Sequence, residues 1–252
     1  MDKEKNKKQK LTPSLIILEG AIKEWWKNLA KFVMVYLQGV LYALIPMAII
    51  LVFAILNAKF GDGVSVIFSA ASAIVVVISI LAIIYFLIRA YMGIFLLVKK
   101  NYAGEPKAIF KETERLFWPY FGLSVLTMIF VLLWTLLLII PGIIFSIFYG
   151  FAAYVFFFEG QKGMAAIRRS VQLVKGYWWP VFGRFLVIGL ATWAVTMVFS
   201  CPMYFVSEDS AFFAVWNGLM QVVSFLIGPA VLLFTYTIYK DLVKIKDEAK
   251  KN

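Results

Sequence analysis

The 252-residue chain is 63% hydrophobic, 17% aromatic and only 15% charged, with 25 Lys and Arg against 14 Asp and Glu and a net charge of +11. A soluble protein of that make-up would leave far too much apolar surface facing water, so lipid is its solvent. There is no histidine and only one cysteine, Cys201, which removes internal disulfides and the usual zinc and haem ligand sets; no cofactor is expected.

Residues 1–12 read as a disordered basic arm. The arm is not a cleavable signal, because the apolar run after it is interrupted by Glu19, Lys23, Glu24 and Lys27 and no small-residue cleavage site follows. Leu15, Leu18, Ile22, Trp25 and Leu29 recur at intervals of three and four with charges between them, the pattern of an amphipathic helix. Six apolar runs follow, roughly 31–56, 64–88, 119–140, 142–158, 181–205 and 212–238. A membrane helix needs about 20 apolar residues at about 1.5 Å rise each, whereas a β-barrel would show alternating segments of about ten residues. Before the third run, Ile109, Phe110, Thr113 and Leu116 oppose Lys111, Glu112 and Glu114. Before the fifth, Met164, Ile167, Val171 and Val174 oppose Arg168, Arg169, Gln172 and Lys175. The outer turns are short: Asn57 to Gly63 with Gly61-Asp62-Gly63, a break at Pro141-Gly142, and Ser207 to Ala211 with Glu208 and Asp209. Residues 240–252 form a basic tail.

Trp118-Pro119-Tyr120-Phe121-Gly122 and Trp179-Pro180-Val181-Phe182-Gly183 share the pattern W-P-x-F-G, 61 residues apart, and Trp25-Trp26 holds a comparable place before the first run. Proline suits the first turn of a helix, where its missing N–H has no intrahelical partner, and tryptophan suits the headgroup level. The expected fold is therefore all-α: a polytopic membrane helical bundle of six transmembrane helices in three hairpin units, about 13–98, 107–158 and 162–239. A short amphipathic interfacial helix precedes each unit, and a single membrane domain covers 13–239.

Of the basic residues, only Lys59 falls in a segment expected outside the cytoplasm. The rest lie in Lys3 to Lys31, Arg89 to Arg115, Glu159 to Arg184 and Lys240 to Lys251. By the positive-inside rule these regions are cytoplasmic, so the chain is expected to be a multi-pass protein of the cell (cytoplasmic) membrane with both termini inside. Anionic lipid headgroups are the expected partners of such charge, with a protein partner or a homo-oligomer as further candidates. Nucleic acid is not, because the cations are tied to span ends rather than gathered on one face.

Ionisable residues inside spans are functional candidates by default. Arg89, Glu159, Arg184 and Asp241 lie near predicted boundaries, where long side chains anchor by snorkelling. The alternative is that Arg184 turns inward and pairs with Glu159 to line a cytoplasm-facing cavity, which Arg89, Asn217 and Gln221 would extend. Asn217 and Gln221 are four apart on one face of the last span, with Ser224 a turn further, and buried amides there would join helices or form a polar face. Pro46 and Gly228-Pro229 are candidate kinks. Ser65, Ser69, Ser72 and Ser79, with Ala70, Ala71 and Ala73, offer a small-residue packing face. No nucleophile and base pair, phosphate loop or metal cluster emerges, so no enzyme is expected.

The stretch Pro141 to Gly183 resembles the glycerophosphoryl diester phosphodiesterase membrane-domain family and related bacterial polytopic membrane proteins. The matching positions are Pro141-Gly142, Glu159-Gly160, Ala166, Arg169-Ser170, Lys175-Gly176, Trp178-Trp179 and Phe182-Gly183. The resemblance is close over about a sixth of the chain. It implies a membrane module without the soluble phosphodiesterase barrel that some members carry. The functional expectation is a non-enzymatic scaffold or accessory module whose cationic collar binds anionic lipids or a partner, through Arg168, Arg169, Lys175, Trp178 and Trp179. A small transporter or channel for lipid-like or amphiphilic substrates is the alternative.

Overall fold

In hydrocarbon a backbone satisfies its N–H and C=O groups only within a helix or a closed barrel, and the long apolar runs of this chain take the first course. A computed structural model describes residues 11–60, 66–207 and 210–251. The elements are α1 (Ser14–Phe60), α2 (Val66–Lys99), α3 (Pro106–Leu137), α4 (Ile139–Tyr149), and a single turn α5 (Ala152–Tyr154) running into a π-helical turn (Val155–Glu159). They continue with α6 (Gly163–Val174), α7 (Trp178–Ser200), a 3-10 turn (Cys201–Phe205) and α8 (Ala211–Lys251). Among the described residues six stretches are long and apolar enough to cross a membrane: Ser14–Lys59, Ala70–Lys99, Pro106–Leu137, Ile139–Glu159, Trp178–Met203 and Ala211–Ala249. The protein is an all-α polytopic helical bundle and a multi-pass membrane protein. Residues 1–10 of the basic arm, the Gly61-Asp62-Gly63 turn, Ser65, and the acidic pair Glu208 and Asp209 lie outside the described residues, as does the Ser69 side chain.

The three amphipathic segments are built differently. Only the third, α6, stands as its own helix. The first is continuous with its span, so α1 runs 47 residues, about 70 Å at about 1.5 Å per residue. The second is continuous with α3, and Pro119 lies inside that helix instead of opening it. The reason is local: Lys175-Gly176 ends α6 with Gly176 at φ 89°, a C-terminal stop of the glycine type, and neither Leu29 to Lys31 nor the residues just before Trp118 hold such a signal. Pro180, by contrast, sits in the first turn of α7, as its missing N–H favours.

The break between the third and fourth spans also shifts. It falls at Leu138, whose backbone is extended at φ −163°, ψ 143°, and Pro141-Gly142 lie within the first turn of α4. Proline is tolerated there, and a Cβ on Gly142 would collide with Thr135, so the pair sets how closely the helices meet after the turn. Pro46 and Pro229 lie inside α1 and α8, which run through them.

The described residues fall into two compact units, one within Leu29–Trp118 and the other within Met1–Asn28 and Pro119–Asn252. In the first, α1 and α2 approach through small residues: a Cβ on Gly39 would lie 2.5 Å from the Ala90 Cβ, and one on Gly93 2.6 Å from Val35. Such small-residue contacts let backbones close in without a hydrophobic driving force. Ser72 and Ser79 are buried, and Ser72 accepts from Asn57 at 3.3 Å. Arg89 on α2 joins α3, as described below.

In the second unit, the part of α3 from Pro119 pairs antiparallel with the broken fourth span. Trp134 stacks on Phe145 at 4.0 Å, Phe130 meets Tyr149, and Tyr120 meets Phe156 and Phe157. Helix α7 packs on α8, where Trp216 Nε1 donates to Phe199 O at 2.8 Å. Helix α6 packs against α4, α5, the π turn and α8. The chain before Asn28 runs along α8 in the opposite sense: Thr12 N–H donates to Asp241 at 2.9 Å and Trp25 Nε1 to Leu226 O at 2.9 Å. Its buried positions are Leu11, Ile17, Ala21 and Asn28, whereas Leu15 is 75% and Ile22 48% exposed. The stripe expected from Leu15, Leu18, Ile22, Trp25 and Leu29 is therefore rotated. Leu15 to Leu18 are four consecutive apolar residues, so periodicity singles out no face, and the anchors at Thr12 and Trp25 decide it.

Candidate functional site

The fourth span does not run straight. Helix α4 ends at Tyr149, Gly150 and Phe151 make a turn, and the chain resumes as α5 and the π turn. A break in an apolar span strands backbone groups that water would otherwise satisfy. Ser170 of α6 answers this break: its hydroxyl donates to Phe148 O at 2.6 Å and accepts from Phe151 N–H at 3.1 Å, and the residue is fully buried. One turn earlier Trp178 Nε1 donates to Ile144 O at 3.1 Å. One turn later Tyr154 donates its hydroxyl to Leu232 O at 3.1 Å.

The π turn ends at Glu159, and π turns in helices often mark functional positions. The Glu159 carboxylate accepts from Arg169 Nε at 2.9 Å, from the Tyr239 hydroxyl at 2.9 Å and from Gln161 at 3.2 Å. Arg169 lies 3.6 Å from Asp247 on its other side. Three elements, the π turn, α6 and α8, thus meet on one carboxylate. Gly160 at φ 74° lets the chain reverse directly after it. Ala166, also fully buried, lets α6 sit close beneath the span.

Within α6 the apolar face is turned inward: Ala166, Ile167, Ser170, Leu173 and Val174 are buried. Met164 is 41% exposed, which departs from the expected stripe of Met164, Ile167, Val171 and Val174, because the four-helix contact selects the face centred on Ser170. Outward lie Lys162, Arg168, Gln172 and Lys175. Neither Arg168 nor Lys175 forms an ion pair among the described residues. Lys246 of α8 adds a further cation by donating to Lys175 O at 2.8 Å, at the carbonyl end of α6, where the helix dipole favours positive charge. Trp179 is 74% exposed beside the half-buried Trp178.

The remaining candidates do not converge. Arg169 is 13% exposed and engaged by Glu159, so it belongs to the junction and not to a free cationic surface. Arg184 does not pair with Glu159. Its guanidinium donates to Thr12 O through Nε at 3.1 Å and through a second nitrogen, and to Pro180 O at 2.7 Å, holding the start of the chain on α7. Arg89, in the other unit, is 7% exposed: it donates to Thr113 Oγ1 at 3.0 Å, Phe110 O at 3.0 Å and Tyr85 at 3.2 Å, with its charge 4.5 Å from the Phe110 ring. Glu114 lies 3.7 Å away, so each of the three guanidinium nitrogens has a partner and Arg89 clamps α2 to α3. Asn217, Gln221 and Ser224 share a face of α8 as expected, but that face is exposed rather than buried. No group of three His, Cys, Asp or Glu able to hold a metal occurs among the described residues.

No family model, curated protein or solved structure matches the chain. The residues that sequence reasoning missed are Tyr239, Asp247, Lys246 and Thr12. Tyr239, Lys246 and Thr12 lie 71 to 229 positions from their partners, and no local pattern marks a residue whose role is set by so distant a helix.

Proposed function

We propose that the protein is a non-enzymatic membrane module, a scaffold or accessory component, whose basic face lies at the inner leaflet and binds anionic lipid headgroups. The observation that carries this reading is the way α6 is held. Its apolar face and Ser170 are used up inside the unit, while Lys162, Arg168 and Lys175 point out, joined by Lys246 and the exposed Trp179. A rigidly docked cationic helix flanked by an exposed indole suits the headgroup layer. The resemblance carried by Pro141 to Gly183 belongs to the same reading, since its acidic, Arg-Ser and Lys-Gly positions are the residues that set α6 in place.

Each basic residue near an anionic surface contributes on the order of 1 kcal/mol. Removing three, in an Arg168→Gln, Lys175→Gln, Lys246→Gln variant, is expected to lower the preference for phosphatidylglycerol about fivefold at each headgroup contact by that figure. The measurement is enrichment of spin-labelled phosphatidylglycerol over phosphatidylcholine around the purified protein in mixed nanodiscs. Equal enrichment around the parent and the triple variant would remove the headgroup reading.

A further inference from the structure

Between α3 and the broken fourth span runs a cavity of about 500 Å³, lined on one side by Leu123, Thr127, Met128 and Val131 and on the other by Ala152 and Ala153. Its origin is visible in the packing. Aromatic pairs hold the two helices at both ends, Tyr120 with Phe156 and Phe157 at one and Trp134 with Phe145 and Tyr149 at the other. Between these ends the facing residues are small: Gly150, Ala152 and Ala153 opposite Ser124 and Thr127. Large side chains at the ends and small ones in the middle leave a trough.

The lining is apolar in effect. Thr127 and Thr135 donate their hydroxyls to the carbonyls of Leu123 and Val131 on their own helix, each at 2.8 Å, and the Tyr149 oxygen accepts from Trp134 at 3.3 Å. The trough opens sideways, since Met128 is 68% and Leu132 57% exposed. Lining residues on α3 extend from Tyr120 to Thr135, about 22 Å at about 1.5 Å per residue. Even with its open side counted, the empty space of the trough is about 990 Å³, which over this length is a cross-section of about 45 Å², against roughly 80 Å² for a helix about 10 Å across. A helix is too wide for it, and one extended hydrocarbon chain is not.

We infer that this trough seats a single acyl chain of a membrane lipid, lying along α3 against the break in the fourth span. Packing supplies the drive, because an unfilled groove forfeits dispersion contacts along its whole wall. The site selects by chain and not by headgroup, so it stands independently of the cationic face proposed above.

The test uses the full chain in nanodiscs containing phosphatidylcholine or phosphatidylglycerol with a photoactivatable diazirine in mid-chain, followed by peptide mapping. Crosslinks are expected to concentrate on peptides spanning Leu123 to Leu132 and Tyr149 to Ala153 with both headgroups. Ala153→Phe, which places a ring in the trough, is expected to cut that labelling at least about fivefold, and Leu190→Phe on the exposed face of α7 to leave it unchanged. Thr127→Phe fills the same trough from the opposite helix and serves if Ala153→Phe does not fold. Labelling spread evenly over all spans, absent from the trough because another helix covers it, or unchanged in both filling variants would overturn the proposal. Labelling with phosphatidylglycerol alone would overturn it too and return the site to headgroup selection.

Discussion

Ser170 contributes one hydroxyl, yet it closes both backbone groups stranded where α4 stops, Phe148 O and Phe151 N–H, in a fully buried position. Leaving a buried backbone donor or acceptor unpaired costs about 1–3 kcal/mol for each group. Ser170→Ala is therefore expected to lower the apparent unfolding temperature in detergent by several degrees. Ser146→Ala, whose exposed hydroxyl bonds only its own helix at Ile143 O, should shift it little; equal shifts would mean that the Ser170 bonds carry no special weight. Glu159 behaves as the companion case. Glu159→Gln leaves the Arg169 guanidinium, 13% exposed, with only Asp247 at 3.6 Å to offset its charge, and loss of a hydrogen bond to a charged group costs about 1.5–3 kcal/mol. Removing both partners in Glu159→Gln, Arg169→Leu should recover most of that loss, since an unpaired charge is worse than none. Additive destabilisation in the double variant would contradict the pairing. The Arg169-Ser170 dipeptide was visible in the sequence, but not which group each residue meets, because both partners become accessible only when the fourth span breaks and α6 folds back on it.

At the scale of elements, helices were legible and their ends were not. Long apolar runs in lipid leave the backbone little choice but helix, so the six spans were readable from composition alone. Ends depend on stop signals that compete: the Trp-Pro pair opens α7 at Pro180 but lies inside α3 at Pro119, with Lys175-Gly176 present before the one and nothing equivalent before the other. The Arg89 clamp shows how such a continuous helix is held. Its guanidinium reaches Thr113, Tyr85 and the Phe110 carbonyl together, a fork that an ammonium group cannot reproduce. Arg89→Lys is expected to loosen α3 from α2 and to speed tryptic cleavage at Lys107 and Lys111 several-fold in the detergent-solubilised protein. Cleavage at the parent rate would mean that α2 and α3 are held by their apolar contacts alone.

For the whole molecule, the orientation proposed from charge asymmetry has a direct check in the single cysteine. Cys201 is exposed in the 3-10 turn after α7, on the side opposite the basic connections if these are cytoplasmic. A membrane-impermeant maleimide is expected to label it in intact cells, while Lys175→Cys in a Cys201→Ser background reacts only after permeabilisation. The reverse pattern would invert the topology and place the cationic face outside. The sequence by itself determined the solvent, the secondary structure class and the number of spans, because each follows from the apolar content of a local window. Only the tertiary structure decided that Arg184 holds Thr12 and not Glu159, that Arg169 is paired with Glu159 while Arg168 has no ion pair among the described residues, that Asn217 and Gln221 face outward, and that a trough lies along α3. Those outcomes turn on pairings between distant helices, and in lipid, where apolar side chains gain little by hiding from their surroundings, hydrogen bonds and small-residue contacts choose the faces that periodicity leaves open.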